Sequence, residues 1–313
     1  MAARARRLVN AVGGFFLCLA GLVVSAQLPL VPAEHPLAGP VDSEKSPAHV
    51  ELAAEESDLR HELERAPDSA PILYKLGLVL RQEGKPKDSL EIYTRAAKVL
   101  KPDAAQLRSV ALDYVLLDDF NDAIHWLRIA EGLEPNNVNV LYSLGRCFYS
   151  EDRFPEAEAL FLRVLALSPD HLKAEENLGL IYGYTQRPEK AEAALRKAVA
   201  LAGDESTDEW PFLDLGGFLL DQNRAADAAP FLQRATTIAP KSAVCHEKLG
   251  RALLASGDAS GGVRELEAAE LLDPKNPKIH FELGTAYRNA GAMEKARAEF
   301  ALSESLYGEH SRE

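Results

Sequence analysis

The chain is poor in the residues that usually announce chemistry. Its 313 residues include three cysteines, two methionines and two tryptophans, and aromatic side chains make up 7%. No glycine-rich phosphate loop, no HExxH pair and no serine on a strand-to-helix elbow occurs. No catalytic residue and no cofactor is therefore expected, and the chain reads as a non-enzyme. Basic residues are scarce as well. Lys and Arg number 35 against 48 Asp and Glu, a formal net charge of -13, which argues against nucleic acid as a partner.

The eight histidines are scattered and promise no metal site. His246 and His280 stand 34 residues apart in matching positions. Equivalent positions of neighbouring helical units lie about 10 Å apart, too far for both rings to reach one zinc ion at about 2.1 Å. Cysteine is equally uninformative. Cys18 falls in an apolar N-terminal stretch, and Cys147 and Cys245 are too distant along the chain to be bridged in a stacked array, so both should be free thiols.

What the sequence does contain is repetition. The segment VNVLYSLGRCFYSEDRFPEAEALFLRVLALSPDH, Val138 to His171, reads as two amphipathic helices. Leu141, Leu144, Gly145 and Phe148 share one stripe, Asp152 to Pro155 interrupts it, and Ala157, Phe161 and Val164 form a second stripe closed by Ser168-Pro169. Gly77, Ala111, Gly145 and Gly179 are each 34 residues apart, as are Gly216, Gly250 and Gly284, with a 37-residue step between the two series. The longer step falls at Gly203 to Glu209, GDESTDE, which lacks the ligand order of a calcium loop and reads as a linker ending in a polar cap before Trp210-Pro211. Seven copies run over residues 70–308. A glycine inside a helix costs about 1 kcal/mol relative to alanine, so six of them at one position imply close helix contact.

With Val138 as position 1, position 7 is Leu or Val throughout, and position 8 is Gly or Ala. Position 11 includes Tyr114, Phe148, Tyr182 and Tyr287, and position 24 includes Tyr93, Phe161 and Phe300. This pattern resembles the tetratricopeptide repeat family. The resemblance implies an all-α fold, a right-handed superhelical solenoid of helix-turn-helix repeats, working as a protein–protein interaction scaffold.

The flanks differ from the repeats. Residues 1–26 combine Arg4, Arg6 and Arg7 with an uncharged, mostly apolar stretch and end in Val24-Ser25-Ala26, the pattern of a cleaved secretory signal. An uncleaved membrane anchor is the alternative. Either places the repeats outside the cytoplasm, periplasmic or secreted in the first case and N-terminally anchored in the second. Residues 27–47 are a proline-rich linker, and residues 48–69 a capping helix that stands for the second half of a lost repeat. Pro230 should bend the helix that contains it. Residues 309–313 form a tail. The last helix should be softened by Ser303, Glu304 and Ser305, and this end offers a place for a second copy to dock.

The resemblance also implies where a partner binds, because in this family positions 2, 5, 9 and 12 of the first helices line a concave groove. Those 28 positions hold seven basic residues and only two acidic ones, Glu176 and Glu247, inside a chain that is strongly acidic overall. Five are aromatic. The anchors expected there are Tyr74, Arg108, Tyr142, Arg146 and Tyr149 in the first three repeats. Lys173, Asn177, Trp210 and Arg251 continue the set. Tyr142 and Trp210 replace basic residues of the family's known carboxylate clamp, so that clamp is not expected. The expected partner is a protein or an extended peptide, acidic with apolar side chains. The alternative function is assembly of an envelope complex such as pilus, secretion or cell-wall machinery.

Overall fold

The computed structural model describes residues 47–310, with side chains for residues 50–308; the signal, the linker up to residue 46 and the end of the tail lie outside the described residues. Fifteen α-helices and no strand occur among them. Helix α1 spans Pro47–Arg65. The other fourteen pair as seven hairpins: α2 (Ala70–Gln82) with α3 (Pro86–Val99), α4 (Ala104–Leu116) with α5 (Phe120–Leu133), and α6 (Val138–Ser150) with α7 (Phe154–Leu167). Then follow α8 (Leu172–Tyr184) with α9 (Pro188–Ala202), and α10 (Trp210–Asp221) with α11 (Ala225–Ile238). Helices α12 (Ala243–Ser256) with α13 (Ala259–Leu272) and α14 (Pro277–Asn289) with α15 (Met293–His310) complete the array.

Local sequence sets the boundaries of these helices. Asn137 accepts from the amides of Asn139 and Val140 at the start of α6, and Asp103 and Gln106 form a reciprocal cap on α4. Between the two helices of every hairpin one residue takes a positive φ. It is Gly84, Gly257 or Gly291 in three repeats, but Asp118, Asp152, Gln186 and Asn223 in the other four, with φ between 57° and 61°. The turn needs the left-handed region whether or not the residue suits it. Pro230 sits inside α11 without interrupting it.

The repeated glycine is a contact residue. A Cβ added to Gly145 would stand 2.8 Å from the Phe161 ring, one added to Gly179 2.5 Å from Leu195, and one added to Gly284 2.8 Å from the Phe300 ring. In each hairpin the obstructing side chain comes from position 24 of the second helix. The period-34 glycines therefore exist because a large side chain lies flat on the first helix.

Neighbouring hairpins are joined through the carbonyls that close each repeat. Arg163 donates to the Pro135 carbonyl at 3.0 Å and Lys197 to that of Pro169 at 3.2 Å, both from position 26. In the last two repeats position 26 carries no base, and His246 and His280 take over, donating from Nε2 to the carbonyls of Pro240 at 3.1 Å and Pro274 at 2.9 Å. The two rings do not pair with each other. Each also meets a glutamate of its own hairpin, Glu265 or Glu299, at 2.8 Å from Nδ1.

At the N-terminal end, Leu59 and Leu63 of α1 are buried against a cluster that includes Leu73, Leu76 and Leu80. At the other end the expected softening of α15 needs correction. Ser303 is buried, and its hydroxyl donates to the Pro277 carbonyl at 2.8 Å, so it belongs to the hairpin interior. Leu302 and Tyr307 of the same helix are exposed.

Candidate functional site: the face of the first helices

First helices of successive repeats touch one another, whereas second helices do not approach comparably among the described residues. The array therefore curves with its first helices on the inner side. Along that side expected anchors of repeats two to five form a connected strip. Arg108 donates from Nε to the Asn139 carbonyl at 3.2 Å and to Ser143 Oγ at 2.7 Å, which ties repeat two to repeat three. Tyr142 is the hub. Its hydroxyl accepts from Arg146 Nη1 at 3.3 Å and from Asn177 Nδ2 at 3.5 Å, and its ring lies 5.0 Å from that of His171. Asn177 also donates to the Lys173 carbonyl at 2.6 Å, and Lys173 pairs with Asp208 at 2.7 Å. Asp208 in turn accepts from the Trp210 amide at 3.2 Å, so the GDESTDE segment is held to the strip rather than looping free of it.

Three expectations need revision. Tyr74 is a packing residue: its ring is buried beside Tyr93, and its hydroxyl donates to the Leu100 carbonyl at 2.6 Å. Arg146, expected off the packing stripe, is only 8% exposed. The first helix touches its own partner helix, the preceding hairpin and the adjacent first helices, which leaves a narrower solvent-facing face than one amphipathic stripe suggests. Arg251 is not part of the strip. It pairs with Glu247 at 3.6 Å and Glu282 at 3.4 Å, and Lys278 pairs with Glu247 at 2.8 Å. Burial, and then the Glu247 charge, push the Glu282 carboxyl upward.

The inner face is also less basic than positions 2, 5, 9 and 12 imply. Lys173 is neutralised by Glu176 at 3.0 Å as well as by Asp208; burial alone would lower its pKa, and these two acids raise it. Acids from position 6, Asp214 and Glu282, and from position 10, Asp113, stand on the first helices, with Asp214 and Asp113 buried and Glu282 half-buried. Reading position 6 for charge as well would have found two of them. Tyr184, whose ring stacks on Phe154 at 5.3 Å and lies 6.4 Å from Tyr149, was also missed, because position 13 was not counted.

Arg81 and Arg108 stand apart from this neutralisation. Neither forms an ion pair with a carboxylate among the described residues, and Arg81 Nε is buried without a hydrogen-bond acceptor. Arg108 is held below the usual guanidinium range by burial and then by the nearby Arg81 charge. A nearby acid, Asp113, is pushed by burial up to about 7 and so is only about half ionised at neutral pH. Two partly buried guanidiniums that repel each other form a local positive field with no carboxylate ion pair among the described residues.

Cys147 and Cys245 are free and buried, and burial pushes the Cys147 thiol up to about 12, far from the thiolate form needed for reactivity.

An all-helical array of stacked hairpins whose first helices form one inner side defines a repeat scaffold. Two tetratricopeptide repeat models match, one over residues 137–204 and the other over residues 176–243 and 247–307. Together they cover a little over half of the chain, which belongs to the tetratricopeptide repeat family. Its fold is a protein–protein interaction scaffold, and such repeat proteins are generally non-catalytic.

A curated relative, the tetratricopeptide repeat-containing protein trd-1 of Caenorhabditis elegans, is 28% identical over 164 residues, 51% of this chain but 20% of the relative. The fold is similar to that in the crystal structure of the APC/C hetero-tetramer Cut9-Hcn1, with TM-score 0.62 and 15% identity, covering 82% of this chain and 50% of that one. It is also similar to PilW, described as a widely conserved type IV pilus biogenesis factor, with TM-score 0.60, 17% identity and coverage of 66% and 94%. The chain thus spans a fifth of the length of the curated relative and half of the first of these structures.

Proposed function

We propose that this protein is a non-catalytic scaffold that holds an extended acidic peptide, bearing apolar side chains, along the inner face of repeats one to five. The Arg81–Arg108 pair carries the reading. A carboxylate placed between the two guanidiniums would relieve their repulsion, give Arg81 Nε an acceptor, and take paired hydrogen bonds. The rings of Tyr142 and Trp210 continue the strip and suit apolar side chains flanking the acid. The basic, apolar and small-residue pattern of residues 1–26 supports a location outside the cytoplasm, with Gln27 as the mature N-terminus; intact-mass measurement on the exported protein, retaining or lacking Arg4 to Arg7, decides this.

The peptide reading is tested with a fluorescent peptide of alternating Glu and Leu and a Lys/Leu counterpart, titrated by polarisation. The acidic peptide should bind, weakening with salt, and the Arg81→Gln/Arg108→Gln double variant, shown to be folded by a cooperative melting curve, should bind at least tenfold more weakly. Equal binding by the variant, or equal binding of both peptides, refutes it. A second reading, assembly of a pilus, secretion or cell-wall complex, is favoured by the same leader-like residues together with the fold shared with PilW. The exposed Leu302 and Tyr307 would then serve as a contact with a larger partner or a second copy. Recovery of a large stoichiometric complex that persists in the double variant supports this second reading against the first.

A further inference from the structure

Away from the inner face, Glu270 of α13, His280 of α14 and Glu299 of α15 converge, and their ligand-type atoms all lie within 4.8 Å of one another. His280 is 1% exposed, with Nδ1 2.8 Å from a Glu299 oxygen and 3.9 Å from a Glu270 oxygen. We propose that these three side chains form a divalent-cation site, of the zinc type, that clasps repeat six to repeat seven.

The orientation of the imidazole supports this. Its Nε2 donates to the Pro274 carbonyl at 2.9 Å, which leaves Nδ1 aimed at the two carboxylates. Metal-binding histidines are ordinarily held in this way, with the second nitrogen donating to a carbonyl or a carboxylate. Without metal both ring partners are acceptors, so the ring needs two N–H groups and is an imidazolium. A cation at Nδ1 replaces that proton, and binding releases one proton for each ion bound. Four ligands about 2.1 Å from zinc lie about 3.4 Å apart. The Glu299 oxygen would have to retreat from Nδ1 and the Glu270 oxygen approach it, each by about half an ångström, which the ends of two glutamate side chains can do. Glu270 is one-third exposed, so water can complete the coordination. Two carboxylates and a neutral imidazole balance the charge of a divalent ion. Without one, burial and then the Glu299 charge push the Glu270 carboxyl upward.

The preceding repeat supplies an internal comparison. His246 makes the same two contacts, to Glu265 and to the Pro240 carbonyl. The residue ten positions before it is Thr236, whose hydroxyl donates to the Leu232 carbonyl. So the carboxylate–histidine pair recurs, but the third ligand does not. That third ligand comes from the neighbouring hairpin and would tie the last described hairpin to the rest of the array.

The test uses the full chain, stripped with chelator and titrated with zinc chloride by calorimetry in two buffers of different ionisation enthalpy. The expected result is one zinc per chain, together with increased amide protection in α14 and α15. Glu270→Gln should bind zinc at least tenfold more weakly and lose the added protection, whereas Glu265→Gln, at the two-ligand site, should bind as the parent does. No stoichiometric binding by the parent overturns the proposal, as does undiminished binding by folded Glu270→Gln.

Discussion

The sharpest consequence of the fold for stability lies at Asp113, buried on α4 with 0% exposure. Ser89 Oγ stands 2.8 Å from the Gly77 carbonyl and 2.7 Å from Asp113 Oδ2, and a hydroxyl has one proton to give. If it goes to the Gly77 carbonyl, Asp113 must be the donor to Ser89, which requires a protonated carboxyl. Asp113 Oδ1 has no hydrogen-bond partner, as suits a neutral acid better than a carboxylate. Burial raises this carboxyl from 3.8 to about 7, against the opposing effects of Ser89 and Arg81. Between those two values the folded chain holds a proton that the unfolded chain has lost. The stability contribution is therefore complete below the unfolded pKa and is lost as pH rises through the folded one. The slope is about 1.4 kcal/mol per pH unit, so roughly 2–3 kcal/mol should disappear between pH 5 and pH 8. Asp113→Asn keeps the shape, can donate to Ser89 and does not titrate. The stability difference between variant and parent should therefore shift in favour of the variant by that amount over the same interval. Urea unfolding of both proteins at pH 5, 6, 7 and 8 measures it, with amide exchange in α2–α5 as the local readout. A difference that is constant with pH would show that Asp113 titrates normally and would refute the argument.

Three further outcomes follow from the packing. Gly145→Leu places carbon where the Phe161 ring lies, which should cost about 1–3 kcal/mol and lower exchange protection most in repeats two to four; a uniform loss contradicts nearest-neighbour coupling. Gln186→Gly relieves a side chain at φ 57° and should raise stability by roughly 0.5–1 kcal/mol, seen in the urea midpoint, whereas a fall would mean that the glutamine side chain stabilises the turn. Arg146→Ala, in a nearly buried position, should lower the melting temperature as well as weaken any peptide on the strip. An unchanged melting curve would restore Arg146 to a purely surface role.

The sequence displays the hairpins because the constraint that makes them is local and repeated: an apolar stripe, a break, a second stripe and a closing proline recur at fixed distance. The glycines at position 8 point in the sequence to close helix contact, but that a large side chain from position 24 makes this contact, 2.5–2.9 Å from where a Cβ would stand, was decided by the structure. Burial around a first helix is not local. Tyr74 shares position 5 with the exposed Phe281, and Arg146 shares position 9 with the half-buried Arg251, and only the neighbouring hairpins decide that the first of each pair is covered.

Charge behaved in the same way. Counting four positions per repeat showed a basic strip, yet Lys173 and Arg251 meet acids contributed by the inter-repeat segment, by position 5 of the same repeat and by position 6 of the next. The sequence by itself determined the class of fold and the number and phase of the hairpins, because each follows from periodicity within 34 residues. Which cations remain unbalanced, which acids are forced toward neutrality, and that a glutamate of repeat six faces a histidine of repeat seven were decided only by tertiary structure. Electrostatic interactions depend on distance through space and on burial, and neither is encoded in the spacing of residues along the chain.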